Sequence, residues 1–243
     1  MLTRILNRFI ANLKGYEYKI DQRIPATYLF HYCLWRLTML LNGALSNIPN
    51  RGQFFLSPSA KVRMKTKIKL GRAVTIDYGC RIDALSQIGI VLGNNVTVGR
   101  KTIIECTGNL QSLGLGMVAG NNVGLGTDSF YGCAGGIYIG DNTIIGNYVS
   151  FHSENHVFEA WDVPIKMQGV VRKGIRLGKN CWVGAKSTIL DGAVVEDNCV
   201  IAAGSVVTAG LYTSGGIYGG VPAKLIKRRT PFQSPISLGH VEV

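Results

Sequence analysis

Large hydrophobic residues recur every six positions through most of this chain, and the six-residue steps come in groups of three. Between successive groups the step is lengthened by an insertion, except before the last group, where nothing is inserted. An amphipathic helix or an ordinary strand would instead repeat about every 3.6 or 2 residues. The anchor positions are Leu70, Ile76, Ile82, Leu92, Val98, Ile104, Ala119, Leu125, Tyr131, Ile139, Ile145, Phe151, Leu177, Val183, Ile189, Val195, Ile201 and Val207.

Small or β-branched residues form a second column two positions before the anchors. Residues i and i−2 of a strand point to the same face, so each anchor and its small neighbour face inward together. Glycine recurs just after the anchors, as at Gly71, Gly99 and Gly184, where the chain has to turn a tight corner. The second column consists of Val74, Cys80, Val96, Thr102, Val123, Ser129, Thr143, Val149, Cys181, Ser187, Ala193, Cys199 and Ser205.

These columns predict an all-β fold, a parallel β-helix in which three steps complete one turn of a triangular prism. Turns that stack about 4.8 Å apart give a prism roughly 30 Å tall for about six turns. We assign residues 59–218 to this domain and residues 219–243 to a C-terminal tail. The largest insertion, residues 157–174, forms a long loop in the middle of the repeat, and loops on a rigid scaffold are where functional sites concentrate.

Residues 1–58 are predicted to form a helical extension. A stretch at 28–48 is strongly apolar but contains Arg36. Three interpretations remain open: a membrane-surface anchor, a helical hairpin packed on the prism or on a neighbouring subunit, and a membrane span, in which Arg36 would cost about 2.5–3.5 kcal/mol. Before this stretch, an apolar stripe with helical spacing is formed by Leu2, Ile5, Leu6, Phe9, Ile10 and Leu13.

The 243-residue chain has a formal net charge of +12, spread over the N-terminal extension, the segment 61–69 and the end of the repeat. No nucleic-acid-binding motif accompanies these charges, so we expect no nucleic-acid partner. The six cysteines lack C-x-x-C spacing, and most of them fall in slots of the repeat. They therefore indicate small core residues in a reducing compartment and no metal site.

Two segments carry a resemblance to a known family. Residues 177–207 read LGKNCWVGAKSTILDGAVVEDNCVIAAGSVV, and residues 219–229 read GGVPAKLIKRR. Over about residues 68–229 the chain resembles the hexapeptide-repeat acyltransferases, in particular the maltose, galactoside and xenobiotic O-acetyltransferase branch. The run SFHSENHVFE at 150–159 resembles O-acetyltransferases of surface-polysaccharide synthesis. The resemblance implies a left-handed β-helix, which the repeat alone does not indicate, since parallel crossovers are normally right-handed.

The same resemblance implies that His156 is the general base of acetyl transfer. The family's histidine ends a V-x-[hydrophobic]-x-x-x-x-H run, which here extends from Val149 to His156. A neutral imidazole, whose reference pKa is near 6.5, can take the proton of a hydroxyl that attacks a thioester. A solvated loop histidine is the alternative. Glu154, Glu159 and Asp162 are candidates to orient the ring, and a backbone carbonyl would serve equally well.

Acetyl-CoA is the implied donor, held largely by backbone groups of the last two repeat groups. Trp182 matches the tryptophan of the family's N-x-W-I-G motif and either walls the site or packs between prisms. The family often has VVTKD where this chain has VVTAG at 206–210, so a common phosphate-side lysine is missing. Cationic side chains that could meet the phosphates, or form a solvated tail, are Lys224, Lys227 and Arg228. The matching backbone positions are Gly184, Ala185, Ala203 and Thr208.

Candidate acceptor-binding residues are Asp128, His152 and Glu154. Asp128 lies near the position of a substrate-binding asparagine in related enzymes. His152 follows the anchor Phe151, where it either fills a corner of the prism or lines the cleft of His156.

The leading prediction is an O-acetyltransferase of a sugar hydroxyl in a surface polysaccharide or its precursor, working in the cytoplasm or at the inner face of the cell membrane. N-acetylation of an amino sugar and a non-catalytic scaffold are the alternatives. A carbonic anhydrase on the same prism would need three zinc histidines, and only His152 and His156 lie in the repeat. Because one prism offers no deep cleft for coenzyme A, we expect a homotrimer with shared sites.

Overall fold

The computed structural model describes residues 6–8, 11–12, 19–50 and 52–230. In this part of the chain, short parallel strands form three sheets around one elongated hydrophobic core. Within each sheet, a strand pairs with the equivalent strand one turn earlier and one turn later. The predicted parallel β-helix is confirmed.

The three sheets are called the first, second and third faces, in the order in which the chain enters them. The first face contains β1 (Phe55–Leu56), β4 (Thr75–Ile76), β7 (Thr97–Val98), β10 (Gly124–Leu125), β13 (Ile144–Ile145), β18 (Trp182–Val183), β21 (Val200–Ile201) and β24 (Gly216–Gly219). The second face contains β2 (Lys61–Arg63), β5 (Arg81–Asp83), β8 (Ile103–Glu105), β11 (Phe130–Gly132), β14 (Ser150–His152), β19 (Thr188–Leu190) and β22 (Val206–Val207). The third face contains β3 (Ile68–Leu70), β6 (Gly89–Leu92), β9 (Gly116–Ala119), β12 (Ile137–Ile139), β17 (Ile175–Leu177), β20 (Ala193–Val195) and β23 (Gly210–Tyr212).

The two inward columns predicted from the sequence form the core. Every anchor and every residue of the small column is buried. Two aromatic anchors, Tyr131 and Phe151, stack on successive turns with their ring centres 5.0 Å apart. The Tyr131 hydroxyl donates a hydrogen bond to the Leu125 carbonyl at 2.9 Å, so the one polar group of this stack is satisfied.

The prism is longer at both ends than the assigned range 59–218. Strand β1 lies inside the segment assigned to the helical extension, and its Leu56 is buried. At the other end the core continues past residue 218 to Ala223, which is buried. In addition, β25 (Lys224–Arg228), which was assigned to the tail, pairs antiparallel with β24 and closes the first face.

A helix packs on the start of the first face. Helix α1 (Ala26–Leu45) follows Pro25, and its Gly43 lies so close to the prism that a Cβ there would be 2.6 Å from the carbonyl oxygen of Phe54. The Arg36 guanidinium stands 3.5 Å from the centre of the Phe55 ring and donates to Thr75 Oγ1 at 3.2 Å. Arg36 therefore serves packing of the helix on the prism.

The outer side of α1 exposes apolar side chains, among them Phe30, Leu34 and Leu41. Membrane-surface contact thus stays a prediction. No helix in the described residues is long and apolar enough to cross a bilayer. The predicted stripe before α1 lies outside the described residues except for Leu6, which is helical.

The insertion is a hairpin with a short helix. Strands β15 (Asn155–His156) and β16 (Val170–Val171) pair antiparallel, and α2 (Ile165–Gln168) lies between them. The Gln168 side-chain amide donates to the carbonyls of Ala160 and Val163, each at 2.7 Å, and its oxygen accepts from the Ala160 amide at 3.1 Å. These bonds close the tip of the hairpin onto itself.

Candidate active site

A pocket of about 490 Å³ opens where the hairpin leaves the second face. Strands β14, β19 and β22 are neighbours there, so their carboxyl ends bring residues of three turns together. Two predicted acceptor-binding residues, His152 and Glu154, thereby meet Thr208, a predicted donor-binding residue. The lining residues are His152, Glu154, Asn155, Leu190, Asp191, Thr208 and Ala209.

His152 forms part of the pocket wall. It pairs in register with Gly132 and Leu190 on the outer side of the second face, and its ring centre lies 5.5 Å from that of Phe130. Burial lowers the pKa of the His152 imidazole below its ordinary value. The ring therefore favours the neutral form, which has one donor and one acceptor nitrogen and suits a hydroxyl group.

His156 lies one residue beyond Asn155, on the exposed strand β15, and is not among the residues that line the pocket. Within the described residues neither nitrogen of its ring is hydrogen-bonded, so Glu154, Glu159 and Asp162 do not orient it in the single chain. The predicted base therefore lies on an exposed strand, next in sequence to the pocket residue Asn155 and outside the pocket lining.

Glu154 and Asp191 are fixed by the polypeptide around them. Glu154 Oε2 accepts a hydrogen bond from Arg172 Nε at 3.0 Å. Asp191 accepts from the backbone amides of Lys173 and Gly174, at 2.9 Å and 2.7 Å, where the hairpin rejoins the prism. Both carboxylates thus hold the root of the hairpin in place.

Among the described residues, no three metal-binding side chains come together.

The predicted donor-binding glycine and alanines lie at another corner, between the first and second faces. A Cβ on Gly184 would stand 2.4 Å from the backbone nitrogen of Ala203, one turn above, so only glycine fits there. The Ala185 carbonyl accepts from the Gly204 amide at 2.9 Å. In the described part of the chain, the amides of Ala185 and Ala203 bind no acceptor.

Two further predicted donor residues, Thr208 and Trp182, have different surroundings. The Thr208 amide and carbonyl both bond the Tyr212 hydroxyl, at 3.1 Å and 3.2 Å, so its backbone is already engaged although the residue lines the pocket. Trp182 is 56% exposed on the outer side of the first face, where it pairs with Ile144, which is 61% exposed, and with Val200. The two exposed side chains form an apolar strip on the first face.

The basic residues of the tail lie on β25. Lys224 and Arg228 are exposed. Arg228 donates to the Ser214 carbonyl at 3.0 Å and to Thr213 Oγ1 at 3.1 Å, so its guanidinium fastens the strand to the last turn. Of these two cations, Lys224 is the one whose side chain has no hydrogen bond in the described residues.

Asp128 lies apart from the pocket. It occupies the corner at which the chain enters the second face, with a left-handed φ of 50°. His152 and the hairpin stand at the exit from that face, so one three-residue strand, about 10 Å long, separates the two sites. The single chain does not bring Asp128 together with His156.

Asn155, Leu190, Asp191 and Ala209 were not predicted as site residues. The repeat did contain the signal: His152, Leu190 and Thr208 each follow an anchor of the second face, and residues at the same repeat position stack in neighbouring turns. Ala209 stands where the family often has its lysine, and it lines the pocket.

Residues 174–209 match the family model described as the hexapeptide repeat of succinyl-transferase. This stretch of the chain therefore carries a hexapeptide repeat. It is also similar to a protein of Mycobacterium tuberculosis named a probable acetyltransferase, with 28% identity over 171 residues, which are 69% of this chain and 47% of that protein. The chain thus spans about half the length of the curated relative it matches.

Among solved structures, this hexapeptide-repeat chain is similar to a variant of AntD, an N-acyltransferase from Bacillus cereus in complex with dTDP-4-amino-4,6-dideoxyglucose and coenzyme A. The TM-score is 0.50 at 19% identity, over 77% of this chain and 87% of AntD. The UDP-N-acetylglucosamine O-acyltransferase of Moraxella catarrhalis gives 0.44 at 13% identity, over 72% of each chain. The AntD likeness shows the fold, and the predicted left-handed β-helix is confirmed.

Proposed function

We propose that this chain is an acetyltransferase that moves an acetyl group from acetyl-CoA to a sugar hydroxyl. The observation that carries the proposal is the pocket at the root of the hairpin, where His152, Glu154 and Thr208 meet beside His156. The acyl- and acetyltransferase names of the similar proteins support the reaction class. The coenzyme A and amino-sugar nucleotide bound to AntD support a thioester donor and a sugar acceptor.

In the proposed reaction the acceptor oxygen attacks the thioester carbonyl while His156 takes the hydroxyl proton. The carbon–sulfur bond then breaks, and the coenzyme leaves as a thiol with the proton that the imidazole collected, so no covalent acyl-enzyme is needed. A general base of this kind is worth about 10²–10⁴-fold in rate. His152, held toward its neutral form by burial, hydrogen-bonds the acceptor in the pocket wall, and Glu154 offers it a carboxylate oxygen.

The donor site is proposed to be shared between subunits of a homotrimer. The free amides of Ala185 and Ala203 lie at one corner of the prism and His156 at another, so one chain alone does not enclose a donor as long as coenzyme A. A neighbouring prism packed against the exposed strip of Ile144 and Trp182 would bring the two corners together. Asp128, on the donor side, would then reach the acceptor from the neighbour, and Lys224 would meet the phosphates.

Light scattering should give the mass of about three chains, since heterologous contacts around a three-fold axis close into a ring. Mixing inactive His156→Ala and inactive Gly184→Val chains after joint refolding should restore part of the activity, because some grooves then contain both intact corners. A fully active monomer, or no rescue in mixed trimers, would contradict the shared site.

N-acetylation of an amino sugar is the second candidate function, favoured by the likeness to the N-acyltransferase AntD. Acetyl-CoA turnover should be measured with pairs of sugars that differ only in a hydroxyl or an amine at one carbon. His156→Ala should lower kcat by about 10²–10⁴-fold with little change in coenzyme A affinity, and His31→Ala on α1 is the matched control. Near-full turnover of His156→Ala would remove the assigned base, and absence of coenzyme A binding would leave a scaffold role.

The proposed setting is the cytoplasm, where acetyl-CoA is made. The exposed apolar side chains of α1 and the basic extension support peripheral contact with the inner face of the cell membrane. A surface polysaccharide or its lipid-linked precursor would then be within reach of the hairpin.

A further inference from the structure

Two loops project from the corner between the second and third faces. One is the hairpin that carries His156, and the other is the segment 106–115 between β8 and β9. Strand β11 lies between β8 and β14, so the shorter loop stands two turns below the hairpin on the same edge of the prism. Residues 107–113 read TGNLQSL, a run rich in groups that hydrogen-bond hydroxyls. We call residues 107–113 the polar loop.

The side chain of Arg172 joins the two loops. It follows β16 in the hairpin and is 19% exposed. Its Nε donates to Glu154 Oε2 at 3.0 Å, while Nη1 donates to Ser112 Oγ at 2.8 Å and to the Leu113 carbonyl at 3.3 Å. Its Nη2 reaches the Ser112 carbonyl at 3.4 Å. This use of several N–H groups of one planar fork is specific to arginine, because a lysine ammonium cannot span the same acceptors.

Glu154 lies between Arg172 and the polar loop. Its Oε1 would be 3.3 Å from a Cβ built on Gly108, so the carboxylate touches the loop on its other side. Along the chain, Glu154 precedes Asn155, which pairs with Val171, and the ion pair with Arg172 therefore extends the short β15–β16 ladder. A two-stranded hairpin this short is marginal in isolation and depends on such side-chain ties.

We propose that Arg172 is a positioning residue that fixes the strand bearing His156 and the polar loop in one geometry, and that the polar loop forms the lower wall of the acceptor site. The wall's ligand is a polyhydroxylated sugar, recognised by the Gln111 side chain and by the side-chain nitrogen of Asn109, whose oxygen already accepts from the Gln111 amide at 2.9 Å. The inference rests on the proposed function. It adds a residue outside the pocket lining to the determinants of acceptor binding.

The variants Arg172→Met and Arg172→Lys test the tie. Misplacing a catalytic strand by about 1 Å costs on the order of 10²-fold, so both variants should lower kcat over acceptor KM by about that factor through a higher acceptor KM and a lower kcat. The KM for acetyl-CoA should stay within about twofold, because Ala185 and Ala203 lie at another corner. Arg172→Lys should not restore the acceptor kinetics, since lysine lacks the planar guanidinium that contacts Glu154 and Ser112 together. Ser112→Ala should raise the acceptor KM alone.

The matched control is Arg176→Met, because Arg176 lies on β17 over the Tyr138 ring at 4.8 Å and does not contact the polar loop. Amide hydrogen exchange supplies a readout independent of activity: the Arg172 variants should exchange faster in both the polar loop and β15 than the control. An Arg172→Met enzyme with a lower Tm but unchanged acceptor kinetics would overturn the proposal, as would unchanged exchange in the polar loop. If the wild-type chain transfers no acetyl group, the proposed function and the acceptor wall are both wrong. Hydrogen exchange then still tests whether Arg172 holds the polar loop and β15 together.

Discussion

The corner between the first and second faces makes a sharp prediction for Gly184→Ala. A Cβ at this position would lie 2.4 Å from the Ala203 nitrogen and 2.8 Å from its Cα, whereas ordinary contacts begin near 3.4 Å. The turn above would have to move by about 1 Å out of its spacing of about 4.8 Å, and overpacking of this kind costs about 1–3 kcal/mol of unfolding free energy. The same movement displaces the free amide of Ala203.

The assay compares Gly184→Ala with Gly124→Ala, since Gly124 lies on the same face and a Cβ there meets nothing within 4 Å. Chemical denaturation should show the loss of about 1–3 kcal/mol for Gly184→Ala only. In acetyl-CoA turnover, the KM for the donor should rise for Gly184→Ala while the acceptor KM stays near its wild-type value. If the two variants are equally stable and equally active, the corner is neither tightly stacked nor part of the donor site.

Three further predictions concern other parts of the chain. Burial raises the pKa of Cys80 and of Cys181 to about 11, so a thiol reagent near pH 8 should label both far more slowly than the half-buried Cys33. Fast labelling of Cys80 and Cys181 would contradict their inward position. Burial lowers the pKa of His152, so below a pH of about 6.5 the unfolded chain binds more protons than the folded one and the free energy of unfolding declines. His152→Gln should make this decline shallower. If the unfolding free energies of variant and wild type fall in parallel with pH, His152 is not the group responsible. The full chain should bind anionic vesicles at low salt and more weakly at high salt, and deletion of residues 1–18, which leaves α1 on the prism, should reduce that binding. If the full chain does not bind vesicles at low salt, the extension serves only to pack on the prism.

The turns in which the period of six holds could be predicted residue by residue, because large and small side chains have to alternate inside so narrow a prism. The prediction stopped where the period shifts. The 3₁₀ turn Lys65–Lys67 lengthens the step between Val62 and Leu70, and the step from Val207 to Tyr212 is one residue short. The first and last turns therefore do not follow the predicted spacing of six, although their inward residues pack against the same core.

The site was only partly accessible from sequence. His152 and Thr208 could be brought together by repeat position, because register in a parallel β-helix converts spacing in sequence into neighbourhood in space. Arg172 could not be found in this way: its partner Ser112 lies 60 residues earlier, in a loop without periodicity. The position of His156 outside the pocket lining likewise depends on how the hairpin folds back, which a loop sequence does not specify.

The reversed strand β25 covers the last parallel strand of the first face. A parallel β-helix ends in a row of unpaired backbone groups, and such an edge is a template on which the first turn of another copy could continue the ladder into a fibre. Because β25 runs antiparallel to β24, it presents the wrong hydrogen-bonding direction for a further turn. Its exposed Lys224, Lys227 and Arg228 add a repulsive charge for any identical end that approaches. The strand therefore caps the last turn of the first face and opposes continuation of that sheet by another copy of the chain.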